Sequence, residues 1–142
     1  MALSGDTAIT GSSGDGDTVP ASGSVYVFVR RDSGTWEEVK KLTPADGEDY
    51  DYFGWSVAIS GDNAAIGALW YNARGEVSGS GYVYTKIDRE WIENVNIVPE
   101  DGAASDYYGT SVAIPGSTAL FGAPDAGEEN GGSTYVVDLC VP

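Results

Sequence analysis

Apolar and β-branched residues occur along the chain in short runs that are separated by glycine-rich and acidic stretches. None of these runs keeps a helical period for long enough to favour a helix. In the middle of the chain the pattern predicts four strands, at residues 56–60, 64–68, 81–87 and 91–97. Residues 61–63 read Gly-Asp-Asn and predict a tight hairpin turn between the first two strands.

The faces of these strands indicate how the sheet is covered. Residues 56–59 (Ser-Val-Ala-Ile) and 64–68 (Ala-Ala-Ile-Gly-Ala) carry small or apolar side chains on both faces. A sheet that is covered on one side only would alternate apolar and polar residues, so we expect neighbouring sheets on both sides. Residues 36–42 (Trp-Glu-Glu-Val-Lys-Lys-Leu) mix charged and apolar positions, which is typical of an exposed edge strand.

The whole pattern recurs along the chain. DYFGWSVAIS at residues 51–60 returns as DYYGTSVAIP, 55 positions later. The wider alignment divides one domain, residues 1–142, into copies at about 1–51, 52–106 and 107–142. Such a period indicates one supersecondary unit copied along the chain, and four strands per unit is typical of a β-propeller. We therefore predict an all-β fold of four-stranded antiparallel propeller blades, about two and a half to three of them in this chain.

The aromatic-glycine pair before the first strand of each unit also has a structural explanation. Phe53 and its counterpart Tyr108 are expected to wedge between adjacent blades near the propeller axis. Gly54 and Gly109 would permit the close backbone approach that entry into the innermost strand requires. The Pro-x-Asp-Gly sequences at Pro44 and Pro99 predict the preceding turn.

These phrases resemble FG-GAP repeats. Phe53-Gly54 matches the Phe-Gly pair of that family, and residues 122–124 match its Gly-Ala-Pro triplet. The chain is similar to the bacterial type of repeat and, more distantly, to the propeller heads of integrin α subunits. The resemblance implies a module at the cell surface or outside the cell.

Calcium is a cofactor that the resemblance raises, and no other cofactor is expected. The family's calcium loops resemble Asp-x-Asp/Asn-x-Asp-Gly, a string that this sequence lacks. In the corresponding loops, between the second and third strands of a blade, Asp15, Asp17, Asp125 and Glu129 are the candidate oxygen donors. Because calcium takes about 6–8 oxygens, two carboxylates would need backbone carbonyls and water beside them, and weak binding is expected.

Net charge narrows the range of partners. Twenty-two acidic residues against 7 basic ones give a formal charge of −15, which repels phosphate backbones and anionic lipid. No apolar run approaches the length of a membrane span. We therefore expect no nucleic-acid partner and no membrane insertion.

The sequence does not predict an enzyme. Histidine is absent, so mechanisms with an imidazole base or ligand are excluded. The densest acidic run, residues 46–51, could supply a carboxylate pair for glycoside hydrolysis. Its counterpart at 101–106 keeps only part of that run, which favours a structural role.

Candidate ligand-binding residues are those that differ between the copies. Trp70, Tyr71 and Arg74 follow the second strand of the second copy, and Trp55 stands where the third copy has Thr110. Aromatic side chains beside an arginine can form a platform for a sugar ring or a protein. The alternative is that these residues cover a blade edge or an oligomer contact.

Two functions therefore stay open. The first is a non-catalytic binding or adhesion module that presents propeller loops to a glycan or protein outside the cell. The second is a structural component that assembles into a closed ring or an extracellular array without a small ligand. Propellers close with about four to eight blades, so we expect that the chain either self-associates or belongs to a longer propeller.

Overall fold

A computed structural model describes residues 1–16, 19–70, 77–127, 129 and 131–139. These residues form three antiparallel sheets, and the predicted all-β fold of propeller blades is confirmed. The strands are β1 (Ala2–Ser4), β2 (Thr7–Ser12), β3 (Ser24–Arg30), β4 (Trp36–Leu42), β5 (Phe53–Ser60), β6 (Asn63–Ala68), β7 (Ser80–Ile87), β8 (Glu90–Ile97), β9 (Ser111–Ala113), β10 (Thr118–Ala123) and β11 (Ser133–Asp138).

Each sheet follows chain order. The first sheet is β1-β2-β3-β4, the second is β5-β6-β7-β8, and the third contains β9, β10 and β11 with β10 in the centre. Consecutive strands pair as hairpins, and Ser60 lies opposite Asn63, so the turn between β5 and β6 is the dipeptide Gly61-Asp62. Gly61 has a φ of 57°, which is the left-handed conformation that such a turn requires. The edge strand predicted at residues 36–42 is β4.

The second sheet is covered on both faces, as its sequence predicts. Val57 and Ile66 pack in one apolar cluster with Ile9, Val25 and Val27 of the first sheet. On the opposite face, residues Ala58, Ala65 and Val83 pack against the third sheet around Tyr108 and Phe121. Below, the front of a sheet is the face that corresponds to Val57 and Ile66, and the back is the face that corresponds to Ala58 and Ala65.

The two predicted wedge residues lie at these sheet-to-sheet contacts. Phe53 is fully buried, and its ring meets the ring of Tyr82 edge-on with 5.1 Å between centroids. Tyr108 is equally buried and stacks on Phe121 at 5.3 Å. Burial raises the pKa of Tyr108, whose hydroxyl has no hydrogen-bond partner among the described residues. Phe53 lacks that hydroxyl, so the shared apolar ring is what the position uses.

Glycine at four positions lets the backbones of adjacent sheets touch. A Cβ atom on Gly11 would overlap the carbonyl group of Gly54, and one on Gly67 would overlap the carbonyl group of Gly109 in the same way. Gly54 and Gly109 themselves have φ values of 87° and 84°. The predicted close backbone approach is therefore present at both boundaries between sheets.

Hydrogen bonds connect the same segments. The N–H of Phe53 donates to the carbonyl of Ser22 at 2.9 Å, and the N–H of Tyr108 donates to the carbonyl of Ser78 at 3.0 Å. The hydroxyl of Ser56 donates to the carbonyl of Gly109 at 2.7 Å. We call this set of glycine contacts and backbone hydrogen bonds the inter-sheet joint.

Two outer faces have no sheet against them. The front of the first sheet forms an apolar cleft of about 430 Å³ that includes Leu3, Ala8, Phe28 and Trp36. The back of the third sheet presents Val136, whose exposed fraction is 65%. Both faces correspond to faces that are buried elsewhere in the chain.

We predict that the same substitution has different costs at matched positions of the joint. Gly67→Ala should destabilise the fold by about 3 kcal/mol because the new methyl group meets the backbone of Gly109. Gly122→Ala should cost less than about 1 kcal/mol, since the nearest atom is the hydroxyl oxygen of Ser111, which can rotate away. Urea denaturation of both variants measures the difference, and equal losses of stability would contradict it.

Candidate functional site

Trp70 lies directly after β6 on the surface, with 43% of its area exposed. Its N–H donates to the carbonyl of Asp51 at 3.2 Å. Its ring meets the ring of Tyr52 edge-on, with 5.0 Å between centroids and 69° between planes. The residue after β6 is therefore attached to the segment that precedes the aromatic-glycine pair.

Trp55 extends from the same segment. The register between β5 and β6 shifts between Phe53 and Ser56, and Trp55 lies within this irregularity with 51% of its area exposed. Its N–H donates to the carbonyl of Tyr52 at 3.1 Å. We call Tyr52, Trp55 and Trp70 the aromatic patch, because the two tryptophans both contact Tyr52.

The other candidate ligand residues are only partly placed. Tyr71 and Arg74 lie outside the described residues. In the third sheet, Thr110 takes the position of Trp55, and its hydroxyl donates to the carbonyl of Tyr107 at 2.6 Å. Asp125 takes the position of Trp70. The third copy thus has the same backbone without the exposed tryptophans.

The backbone under the patch is unusual in both copies. Tyr50 and Tyr52 have φ values of 66° and 54°, and their counterparts Ser105 and Tyr107 have 66° and 53°. Left-handed conformations cost energy in residues that carry a Cβ atom and persist only where the surroundings enforce them. Because the conformation recurs in a copy without tryptophans, it serves the fold rather than a ligand.

A buried carboxylate lies at the centre of this curled segment. Asp51 is 1% exposed, and its Oδ2 atom accepts the N–H of Glu48 at 2.7 Å. Asp106 is also buried and accepts the N–H of Ala103 at 2.6 Å. Burial raises the pKa of Asp51 to about 6, and the charges of nearby carboxylates, Glu48 first, add to the effect.

A tyrosine on the front of each sheet donates to a carboxylate. Tyr82 donates to Asp46 at 3.0 Å, and Tyr135 donates to Asp101 at 2.9 Å, the equivalent position 55 residues later. Both aspartates lie in the predicted Pro-x-Asp-Gly turns, whose glycine N–H groups donate to the carbonyls of Pro44 and Pro99. Asp46 also accepts the side-chain amide of Asn96 at 2.7 Å. The acidic run at 46–51 thus supplies two carboxylates that stabilise turns and strands.

Comparison with protein-family models agrees with this repeated geometry. The model described as FG-GAP repeat matches residues 1–28, 36–84 and 91–137, which is most of the chain. The chain belongs to the FG-GAP repeat family. A search of curated proteins finds no match. In the part of this FG-GAP chain that the structure describes, no helix is long and apolar enough to cross a membrane.

The calcium candidates of the first FG-GAP copy do not form an open carboxylate site. Asp15 accepts the Tyr26 hydroxyl at 2.5 Å and lies 3.1 Å from the Nζ atom of Lys41. The hydrogen bond from Tyr26, and then the one from Lys41, lower the pKa of Asp15 to about 2. Asp17 lies outside the described residues.

In the third copy, Asp125 is half-buried in the turn after β10, and Glu129 is exposed. Within the described ranges, no group of three or more histidine, cysteine or acidic residues is placed to bind a metal ion. Calcium binding by these loops stays a prediction, which calorimetry with calcium would test.

Two structural roles of carboxylates were missed from the sequence. Asp51 and Asp106 recur at the same step before the aromatic-glycine pair, and this recurrence is a signal that could have identified them as turn residues. The bonds from Tyr82 and Tyr135 to Asp46 and Asp101 recur in the same way. The pairing of Asp15 with Lys41 has no counterpart in the other copies and gave no such signal.

We predict that Asp51 makes stability depend on pH. Its pKa is about 6 in the folded chain against 3.8 as the ordinary value, so the folded state binds the proton more tightly. This contribution is complete below pH 3.8 and is lost as the pH rises through 6. Between pH 7.5 and pH 5 the native chain should gain about 1 to 1.5 kcal/mol more than Asp51→Asn, whose amide oxygen can still accept the Glu48 N–H.

Urea denaturation at the two pH values measures this difference, and equal gains for both proteins would contradict the prediction. Glu48→Gln is the matched variant. It removes one neighbouring negative charge but keeps the backbone N–H, so the pKa of Asp51 measured by carboxyl NMR should fall.

Proposed function

We propose that this FG-GAP chain is a non-catalytic binding module that presents the aromatic patch to a glycan or a protein ligand. The observation that carries the proposal is the pair of half-exposed tryptophans on a backbone that the third copy builds without them. A side chain that the fold does not need, and that leaves apolar area in water, is best explained by a contact with a partner.

The chemistry of the patch suits such ligands. Tryptophan and tyrosine rings offer flat apolar area for the faces of a sugar ring or for a protein side chain. The edge-on contact between Trp70 and Tyr52 restricts the position of the indole before binding, which lowers the entropy that binding would cost. The charge of −15 favours neutral or basic partners over acidic ones.

A binding role is favoured over catalysis by the state of the carboxylates. Asp46 accepts hydrogen bonds from Tyr82 and Asn96, and buried Asp51 accepts one from the backbone. The equivalent turn carboxylates Asp101 and Asp106 do the same in the next copy. Carboxylates with identical structural partners in two copies are poor candidates for a single catalytic pair. FG-GAP repeats are typically extracellular, which supports a site of action outside the cell or at its surface.

We predict that ligand binding on a glycan or extracellular-protein array is lost in Trp70→Ala and weakened at least about tenfold in Trp55→Thr. Trp55→Thr introduces the residue that the third copy has at the same position, so its fold should be unchanged. Trp36→Ala is the matched control, because Trp36 is similarly exposed but lies on the edge strand β4. Equal binding by all three variants and the native chain would contradict the proposal.

A structural, self-assembling component is the second candidate, and the two outer faces favour it. Leu3, 62% exposed, lies in the apolar cleft on the front of the first sheet, while Val136 lies on the back of the third. Inside the chain, a back and a front bury each other at each boundary. Head-to-tail contact between two chains would cover both outer faces in the same manner.

We predict that light scattering coupled to size exclusion gives a mass above the 14.8 kDa of one chain. Leu3→Lys and Val136→Lys should each return the mass to that of a monomer, since a charge would then be placed within the contact. Ile87→Lys adds the same charge at an exposed position on β7 and should leave the mass unchanged. A folded native monomer at high concentration would exclude this candidate.

A further inference from the structure

The end of the third sheet contains a cleft that the other two sheets fill. It has a volume of about 440 Å³ and is open to solvent. Its lining is made of small residues and backbone, and it includes Ser111, Gly122, Gly131, Gly132 and Thr134. No part of the aromatic patch lies in this lining, so the cleft is a separate surface.

Repeat positions identify what such a cleft receives. Gly122 corresponds to Gly11 and Gly67, which contact the carbonyl groups of Gly54 and Gly109. Gly132 corresponds to Gly23 and Gly79, each of which pairs as an isolated parallel bridge with the aromatic residue of the pair, Phe53 or Tyr108. At both filled sites the occupant is therefore an Asp-Tyr-aromatic-Gly segment.

The cleft has the polar groups that this occupant uses. Ser111 is the counterpart of Ser56, whose hydroxyl donates to the glycine carbonyl of the incoming segment. Gly131 is the counterpart of Ser22 and Ser78, whose carbonyls accept the N–H of the aromatic residue. Gly132 has a φ of 78°, close to the 88° and 81° of its two counterparts. The backbone is thus already in the conformation of a filled joint.

The apolar surface next to the cleft fits the aromatic ring. In the first sheet the corresponding surface is made by Val25 and Val27, which are fully buried beside Phe53. In the third sheet the same positions hold Thr134 and the exposed Val136. A ring placed there would remove this apolar area from water.

We propose that this cleft binds a further Asp-Tyr-(Phe or Tyr)-Gly segment, supplied by another polypeptide in which it leads a four-stranded sheet of the same repeat type. A folded second copy of residues 1–142 does not fit this role. Its two segments of that type are already packed, with Phe53 and Tyr108 fully buried in their own joints. The partner is thus a repeat protein whose leading segment is accessible. This inference does not depend on the ligand of the aromatic patch.

The experiment uses a peptide with the sequence of residues 48–60, labelled at its N-terminus with fluorescein, and follows its anisotropy on titration with the full chain. Saturable one-to-one binding is expected. Amide NMR shifts should concentrate at Ser111, Gly122 and Gly132. The control peptide carries the equivalents of Phe53→Ala and Gly54→Val, and it should bind at least about tenfold more weakly because it lacks the ring and clashes with the cleft.

Two variants of the chain test the cleft itself. Gly122→Ala fills the point of closest backbone approach and should abolish binding, with near-UV circular dichroism reporting whether the fold is kept. Ser111→Ala removes only the donor hydroxyl and should weaken binding severalfold, so it tests the cleft even where Gly122→Ala fails to fold. Absence of binding by the native chain, or equal binding by Ser111→Ala and by the control peptide, would overturn the proposal. Displacement of the peptide by excess unlabelled chain would also overturn it, because a second copy would then be the occupant.

Discussion

The close approach of two backbones at each boundary between sheets is the constraint on which the rest of the structure depends. Gly11 meets Gly54, and Gly67 meets Gly109, at distances that no side chain allows. This approach places Phe53 and Tyr108 where their rings are buried, and it aligns the N–H groups that donate to Ser22 and Ser78. Apolar burial then supplies most of the stabilisation, but the glycines determine where the sheets can lie.

The aromatic patch is positioned by the same joint. Asp51 accepts a backbone N–H at 2.7 Å within the curled segment, and its carbonyl accepts the N–H of Trp70. The segment that enters the joint therefore also carries Tyr52 and orients Trp70 against it. Structural and ligand-binding roles thus occupy alternate residues of one short stretch. A ligand contact can change there, as Trp55 and Thr110 show, while the joint stays the same.

Much of this fold could be predicted because its causes are periodic. Strands with small residues on both faces, such as 64–68, indicate a doubly covered sheet, and the recurring aromatic-glycine pair indicates the wedge. The role of Asp51 could not be read from composition, because its acidic neighbours look like a solvated run and burial depends on the left-handed turn around it. The ion pair between Asp15 and Lys41 depends on a contact between the β2–β3 loop and β4. Such a contact has no periodic trace in the sequence.

The inter-sheet joint has a consequence for how a stack of such sheets can vary in length. Its contacts come from glycine and from main-chain groups, so the joint between the first and second sheets is chemically the same as the joint between the second and third. Neither joint contains a side chain that distinguishes one neighbour from another. The chain thus encodes a rule for adding the next sheet and, in these joints, no rule for when to stop. Duplication or loss of a unit would leave every remaining boundary intact, which makes the number of units free to drift between related proteins.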